Sequence, residues 1–108
     1  MQTLAHFGSA VIELDGRIIA TGYAEKRPSK PYVASDYHAF LGFMFVHPEH
    51  RGKGLNRILT DYLLDWARAH NLPEIRLTVY SGNDPAIRAY EKTGFKPYIT
   101  EMRLNLDE

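Results

Sequence analysis

Val46-His47-Pro48-Glu49-His50-Arg51-Gly52-Lys53-Gly54-Leu55-Asn56 joins an apolar run on its N-terminal side to a strongly periodic stretch on its C-terminal side. Two glycines in such a turn let bare backbone N–H groups converge on one space, and the first turn of the following helix leaves its own donors unpaired. The junction is therefore suited to an anion, with a phosphate or pyrophosphate as the natural guest. Arg51 and Lys53 add positive charge, although each also reads as a solvated loop cation. Taken alone, the two glycines signal no more than a tight turn.

The flanks decide the fold. Upstream, Tyr37 to Val46 is aromatic and apolar on both alternating faces, which suits a central strand, and Gly42 marks a bulge or a close approach within it. Downstream, Leu55, Ile58, Leu59, Tyr62, Leu63, Trp66 and Ala67 recur three and four apart, an amphipathic helix that ends near Asn71 before Pro73. Further out, Val11 to Leu14 and Arg17 to Ala24 flank Asp15-Gly16, a hairpin signal. Arg27 to Pro31, with two prolines, reads as an exposed loop. Glu74 to Tyr80 alternates as a strand. Asp84-Pro85 reads as an N-cap and first helical residue, with Gly94 as the stop, so a short helix spans about Pro85 to Thr93. Tyr98 to Leu106 alternates as a last strand with one buried face. The expected order is β-β-β-α-β-α-β, an α+β fold with a mixed sheet flanked by helices.

Composition narrows the function. A chain of 108 residues is expected to form one domain, 1–108. Its formal net charge is zero, which argues against nucleic acid as the main partner. No cysteine is present, so disulfides, thiolate zinc sites and a cysteine nucleophile are all excluded. His47 and His50 share a loop without the further ligands of a zinc site, so no metal is expected. The turn lacks the Gly-Lys-Ser/Thr ending of nucleotide triphosphatases. Neither a leader nor a membrane span is visible, and a cytoplasmic location is the default expectation.

Asn83 and Tyr90 stand seven residues apart, two helical turns, on one face with Ile87 between them. They either line a groove together, or Tyr90 is a core aromatic with a wet hydroxyl.

Val46-x-Pro48-Glu49-x-Arg51-Gly52-Lys53-Gly54 resembles the acetyl-CoA motif of the GNAT superfamily of N-acetyltransferases, and Asn83-x-x-Ala86-Ile87-x-x-Tyr90-x-x-x-Gly94-Phe95 is similar to its second signature. The resemblance spans roughly Val11 to Leu106. It implies that the amides of Arg51, Gly52, Lys53, Gly54, Leu55 and Asn56 bind the CoA pyrophosphate. It implies that the pantetheine arm pairs with Met44, Phe45 and Val46 like an added strand, in a gap between that strand and the one containing Tyr80. The Met44 N–H would polarise the thioester carbonyl, Asn83 would contact the CoA arm, and Tyr90 would protonate the departing thiolate. The implied reaction is acetyl transfer from acetyl-CoA to a primary amine of a small molecule or peptide. A non-catalytic acyl-CoA binding module is the alternative.

Three departures from the family pattern matter. Some members carry a glutamate four residues before the position matching Met44; that place is Phe40 here, and His38 is the substitute candidate base, ahead of Asp36 and Glu101. Asn56 stands where the family usually has glycine or alanine, and its side chain is expected to cap the helix or touch phosphate. Family members normally have a strand and two helices before the hairpin, where about ten residues stand here. Such a chain reads as a minimal member, a trimmed one, or a protomer whose missing wall comes from another copy, and a homodimer is the favoured expectation of the three.

Overall fold

The computed structural model describes residues 3–4, 7–29 and 36–107. These fall in two compact units, Met1–Thr78 and Val79–Glu108. The first contains β1 (Thr3–Leu4), β2 (Phe7–Leu14), β3 (Arg17–Pro28), β4 (Tyr37–Val46), a 3₁₀ turn (Pro48–His50), α1 (Leu55–Ala69) and β5 (Ile75–Leu77). The second contains α2 (Asp84–Thr93). The sheet runs in chain order, β1-β2-β3-β4-β5, antiparallel up to β4 and parallel between β4 and β5. A mixed sheet with helices is thus the observed architecture.

The β2–β3 hairpin turns at Asp15 and Gly16, whose φ values of 51° and 79° are both left-handed, as the tight turn that matches strand twist requires. Register shifts one residue between Ile12 and Glu13, leaving Ile19 as the extra residue on β3. Ile19 and Ala20 are consequently buried side by side in a strand that otherwise alternates.

Packing explains the choice of small residues. Gly8, Ala24, Leu41 and Leu77 form one cross-strand row. A Cβ on Gly8 would come within 2.5 Å of Trp66 Nε1, so this face of the sheet is the one α1 covers. Ala10, Ala20, Ala24 and Ala39 let the helix approach, and Leu59, Leu63, Trp66 and Ala67 fill the interface. Each of the two leucines contributes about 1.5–3 kcal/mol by burial. The helical stripe is narrower than the sequence pattern suggests: Ile58 and Tyr62 are exposed, while Thr60 is buried with its hydroxyl donating to the Asn56 carbonyl at 2.7 Å.

Several other expectations need correction. Arg27 and Pro28 continue β3 rather than opening a loop, because Pro28 is the last residue of the ladder and its missing donor interrupts nothing beyond it. Positions 30–35, where the rest of that expected loop falls, lie outside the described residues. The strand expected over Glu74 to Tyr80 shortens to Ile75–Leu77. A strand was also expected over Tyr98 to Leu106, but these residues carry no strand pairing, and Tyr98, Met102, Leu104 and Leu106 are exposed. Alternation supplies a face, but a strand also needs a neighbour to pair with. At the other end, the two-residue β1 adds a strand that the pattern did not reveal.

Candidate functional site

The turn after β4 is built almost wholly from backbone. His47 caps the 3₁₀ turn, its Nδ1 accepting the Glu49 N–H at 3.2 Å. Gly52 and Gly54 have φ of 79° and 77°, and a Cβ at either would meet only open space. Glycine is thus required by the left-handed backbone, and the space it leaves is free for a ligand. Gly54 is itself the N-cap of α1 and brings no side-chain cap. The first helical bond runs from the Ile58 N–H to the Gly54 carbonyl, so the amides of Leu55, Asn56 and Arg57 have no acceptor within the helix. Together with the helix dipole, about half a positive charge at this end, they form an anion cradle.

The cations stand at its rim. Arg51 folds back so that Nε donates to the Val46 carbonyl at 3.2 Å, tying the turn to the strand end. Lys53 Nζ lies 3.5 Å from His50 Nδ1. Both residues are exposed, as is Asn56, which does not cap the helix because Gly54 already occupies that position.

The end of β4 offers a second feature. Its pairing with β5 covers Ala39, Phe40 and Leu41 and then stops, while β4 runs on to Val46. Against β3, Phe43 pairs with Gly22 and Phe45 with Thr21, leaving Met44 as an extra residue. The alternation changes phase there. Ala39 sends its N–H to the carbonyl of Glu74, just before β5, but His47, also odd-numbered, sends its N–H to Ile19 of β3. Val46, next to His47 and beyond the bulge, therefore turns its N–H to the edge that β5 has left, where an extended ligand can add as a strand, and Met44 stands at the change of phase. Phe45 is exposed and packs edge-on against His47, ring centroids 6.1 Å apart.

The sheet face away from α1 carries side-chain chemistry. Alternation from the Gly8 row places Tyr23, Glu25 and Arg27 of β3, His38 and Phe40 of β4, and Arg76 of β5 on this outer face. Glu25 pairs directly with Phe40 across the strands. Arg27 Nε donates to Glu25 Oε1 at 2.5 Å, and the same guanidinium lies 3.9 Å from the Phe40 ring centre. Arg76 pairs with Glu74. The Tyr23 ring lies where a Cβ on Gly42 would stand, which accounts for that glycine as a close approach; the bulge belongs to Met44.

His38 is only 6% exposed, and its Nδ1 shares a hydrogen bond with Ser29 Oγ at 3.0 Å. Burial, then the Arg76 charge, hold its pKa below the usual 6.5; Glu74 pulls it upward, and Arg27 adds a lesser downward push. The ring is neutral at pH 7. Its place near the start of β4, six residues before Met44, puts it about 20 Å along the strand from the free edge.

In the second unit Asn83, not Asp84, caps α2: its Oδ1 accepts the Ala86 N–H at 3.4 Å. Gly94 closes the helix at φ 113°, and the Phe95 N–H returns to the Tyr90 carbonyl. That closure sets the Phe95 ring edge-on to Tyr90, centroids 5.8 Å apart. Burial pushes the Tyr90 pKa above its ordinary 10.0, so the phenol keeps its proton through the neutral range.

Met44, Phe45, Val46 and residues 51–56 therefore form one continuous backbone path, and His38 lies apart from it on the outer face. Glu25, Arg27 and Tyr23 were missed from sequence. Their signal was the alternation of Tyr23, Glu25 and Arg27 against the small residues Gly22 and Ala24.

A strand end with a free edge, a glycine turn and an unfilled helix start occur here in unbroken succession, and a model of the acetyltransferase (GNAT) family matches residues 2–95. The chain belongs to this family. Among curated relatives of this GNAT chain, mycothiol acetyltransferase of Acidothermus cellulolyticus is 33% identical over 103 residues, covering 88% of this chain and 32% of the relative. L-amino acid N-acyltransferase MnaT of Escherichia coli K12 is 32% identical over 101 residues, 87% of this chain and 53% of the relative. The chain thus spans about a third to a half of the length of these relatives. A predicted acetyltransferase from Clostridium acetobutylicum, solved with acetyl-CoA, superposes with a TM-score of 0.75 at 24% identity, over 93% of this chain and 64% of the other. At that identity the likeness shows the fold.

Proposed function

We propose that the chain is an acetyl-CoA-dependent N-acetyltransferase acting on a primary amine. The observation that carries this reading is the continuity of the free β4 edge at Val46 with the open amide cradle at Gly52 to Arg57. The cradle fits a pyrophosphate and the edge fits an amide-bearing arm, the two chemical halves of CoA. The two relatives are an acetyltransferase and an acyltransferase.

In this reading, bound acetyl-CoA supplies an activated acyl group. The amides of Gly52 to Asn56 hold the diphosphate, with Arg51 and Lys53 adding exposed charge. The edge amide of Val46 orients the arm, and the Met44 N–H faces the developing negative charge on the carbonyl oxygen. Asn83 spends Oδ1 on its helix cap and keeps its amide N–H₂ for the arm. Tyr90, protonated at neutral pH, donates to the leaving sulfur. His38 is the less suited proton acceptor, since its ring is buried and one nitrogen is engaged by Ser29.

The test is thiol release from acetyl-CoA over a panel of amino acids, polyamines, aminoglycosides and peptide N-termini, beside thermal shift with CoA and acetyl-CoA. Amine-dependent thiol release is the expected result. Stabilisation by CoA without turnover would favour the non-catalytic acyl-CoA binding reading, which gains support from Phe40 standing beneath Arg27 instead of an acidic side chain. No shift with either ligand would overturn both.

A further inference from the structure

The proposed reaction begins with an ammonium, which must lose a proton before its nitrogen can attack. The outer face carries the carboxylates of Glu25 and Glu74, and only Glu25 stands on a strand directly across from Phe40. Glu25 stands on β3 directly across from Phe40, on the sheet side away from α1, and its side chain is 39% exposed. Arg27 engages Oε1 only, and among the described residues Oε2 makes no hydrogen bond. The guanidinium of Arg27 is pinned over the Phe40 ring, so it holds the carboxylate beside β4 at the register of Phe40, four residues before Met44.

Resting on the N-acetyltransferase reading, we propose that Glu25 is the residue that receives the acceptor ammonium and takes its proton. A carboxylate attracts the charged form of the amine and, across a hydrogen bond or one water, accepts a proton from it. The ammonium passes one proton to Oε2, becoming a neutral amine. Its lone pair forms the C–N bond to the acyl carbon as the C–S bond breaks, and the sulfur leaves with the bonding pair and takes the Tyr90 proton. The nitrogen gives up a second proton, which restores Tyr90 through solvent. Glu25 releases its own proton to water, so each cycle yields one amide, one thiol and one net proton.

The charged groups around Glu25 are Arg27 on its own strand, His38 on β4, and Arg76 with its partner Glu74 at β5. Both guanidiniums are ion-paired, so among the described residues this face is close to balanced in charge and offers no bare cation to repel an ammonium. His38, neutral at pH 7, adds none. A cationic amine without a carboxylate of its own is the substrate class this arrangement favours.

The test compares Glu25→Gln and Glu25→Asp with the unmodified 108-residue chain on two primary amines, ethylamine and trifluoroethylamine. The first is protonated at assay pH and the second is neutral. For Glu25→Gln, kcat/KM for ethylamine is expected to fall about a hundredfold, within the range of general-base losses. For trifluoroethylamine it should fall less than about fivefold, because no proton need be removed before attack. Glu25→Asp should recover part of the ethylamine rate, and the thermal shift with CoA should match in all three proteins. Equal losses on both amines, or no loss on either, would overturn the proposal. If the unmodified chain acetylates neither amine nor any member of the wider panel, the transferase reading itself fails and Glu25 falls with it.

Discussion

The turn at residues 47–56 and the outer face of β3 to β5 belong to one unit, yet they are made of opposite materials. The turn is contiguous in sequence and works through backbone: two left-handed glycines and a helix start whose amides are free. The outer face is assembled from three strands and works through side chains, with Glu25, Arg27 and Phe40 in mutual contact. Backbone chemistry tolerates exchange of side chains but not of conformation, whereas a side-chain cluster tolerates neither loss nor displacement of its members. The turn can therefore keep its form whatever side chain stands at Asn56, while the outer face changes with the loss of any of its members.

Variants can break or sharpen that contrast. The largest effect is expected from a single side chain outside both regions: Tyr90→Phe should lower turnover about a hundredfold through loss of the acid, with CoA affinity retained, as read by steady-state kinetics beside calorimetric titration. Unchanged turnover would remove Tyr90 from the reaction. Next comes the backbone of the turn. Gly54→Val forces a branched residue to φ 77° and should weaken CoA binding about tenfold or more. Gly16→Val, at φ 79° in the hairpin, should cost stability alone and leave CoA affinity unaltered.

A smaller effect belongs to His38. Its native pKa is depressed below the unfolded value near 6.5, so between the two values the unfolded chain binds more protons. Stability is then fully present above pH 6.5 and declines as pH falls toward the native pKa. Urea unfolding at pH 7.5 and 5.5 should show this decline, and His38→Gln should flatten it. An equal pH slope in the variant would assign the loss to other groups. The least effect is expected from Asn56→Ala: the side chain is exposed and makes no cap bond, so CoA affinity should change less than about twofold, as for an ordinary surface substitution.

How much was legible in advance follows the same division. The hairpin at Asp15-Gly16, α1 from Leu55 and the stop at Gly94 were readable because each depends on local backbone preference. The family signatures were readable for the same reason, since they mark glycine turns and helix starts. Tyr98 to Leu106 has an equally clear alternation and forms no strand, because a strand is completed only by a neighbour that no local pattern supplies. Arg27 and Pro28 erred the other way: their partners His38 and Tyr37 extend a ladder that proline usually ends. The place of Glu25 was invisible for want of a register, since nothing along the chain sets it opposite Phe40.

By itself the sequence determined the anion turn, the amphipathic helix behind it, the absence of cysteine chemistry and the family, all properties that depend on residues within a few turns of each other. Tertiary structure decided what lies across a strand from what. It set Met44 as the unpaired residue whose neighbours change phase, buried His38 against Ser29, and brought the Glu25 carboxylate to the face where Phe40 has none. The physical reason is that conformational preference acts over a few bonds, whereas strand register is fixed by the whole sheet closing its hydrogen bonds and burying one face at once.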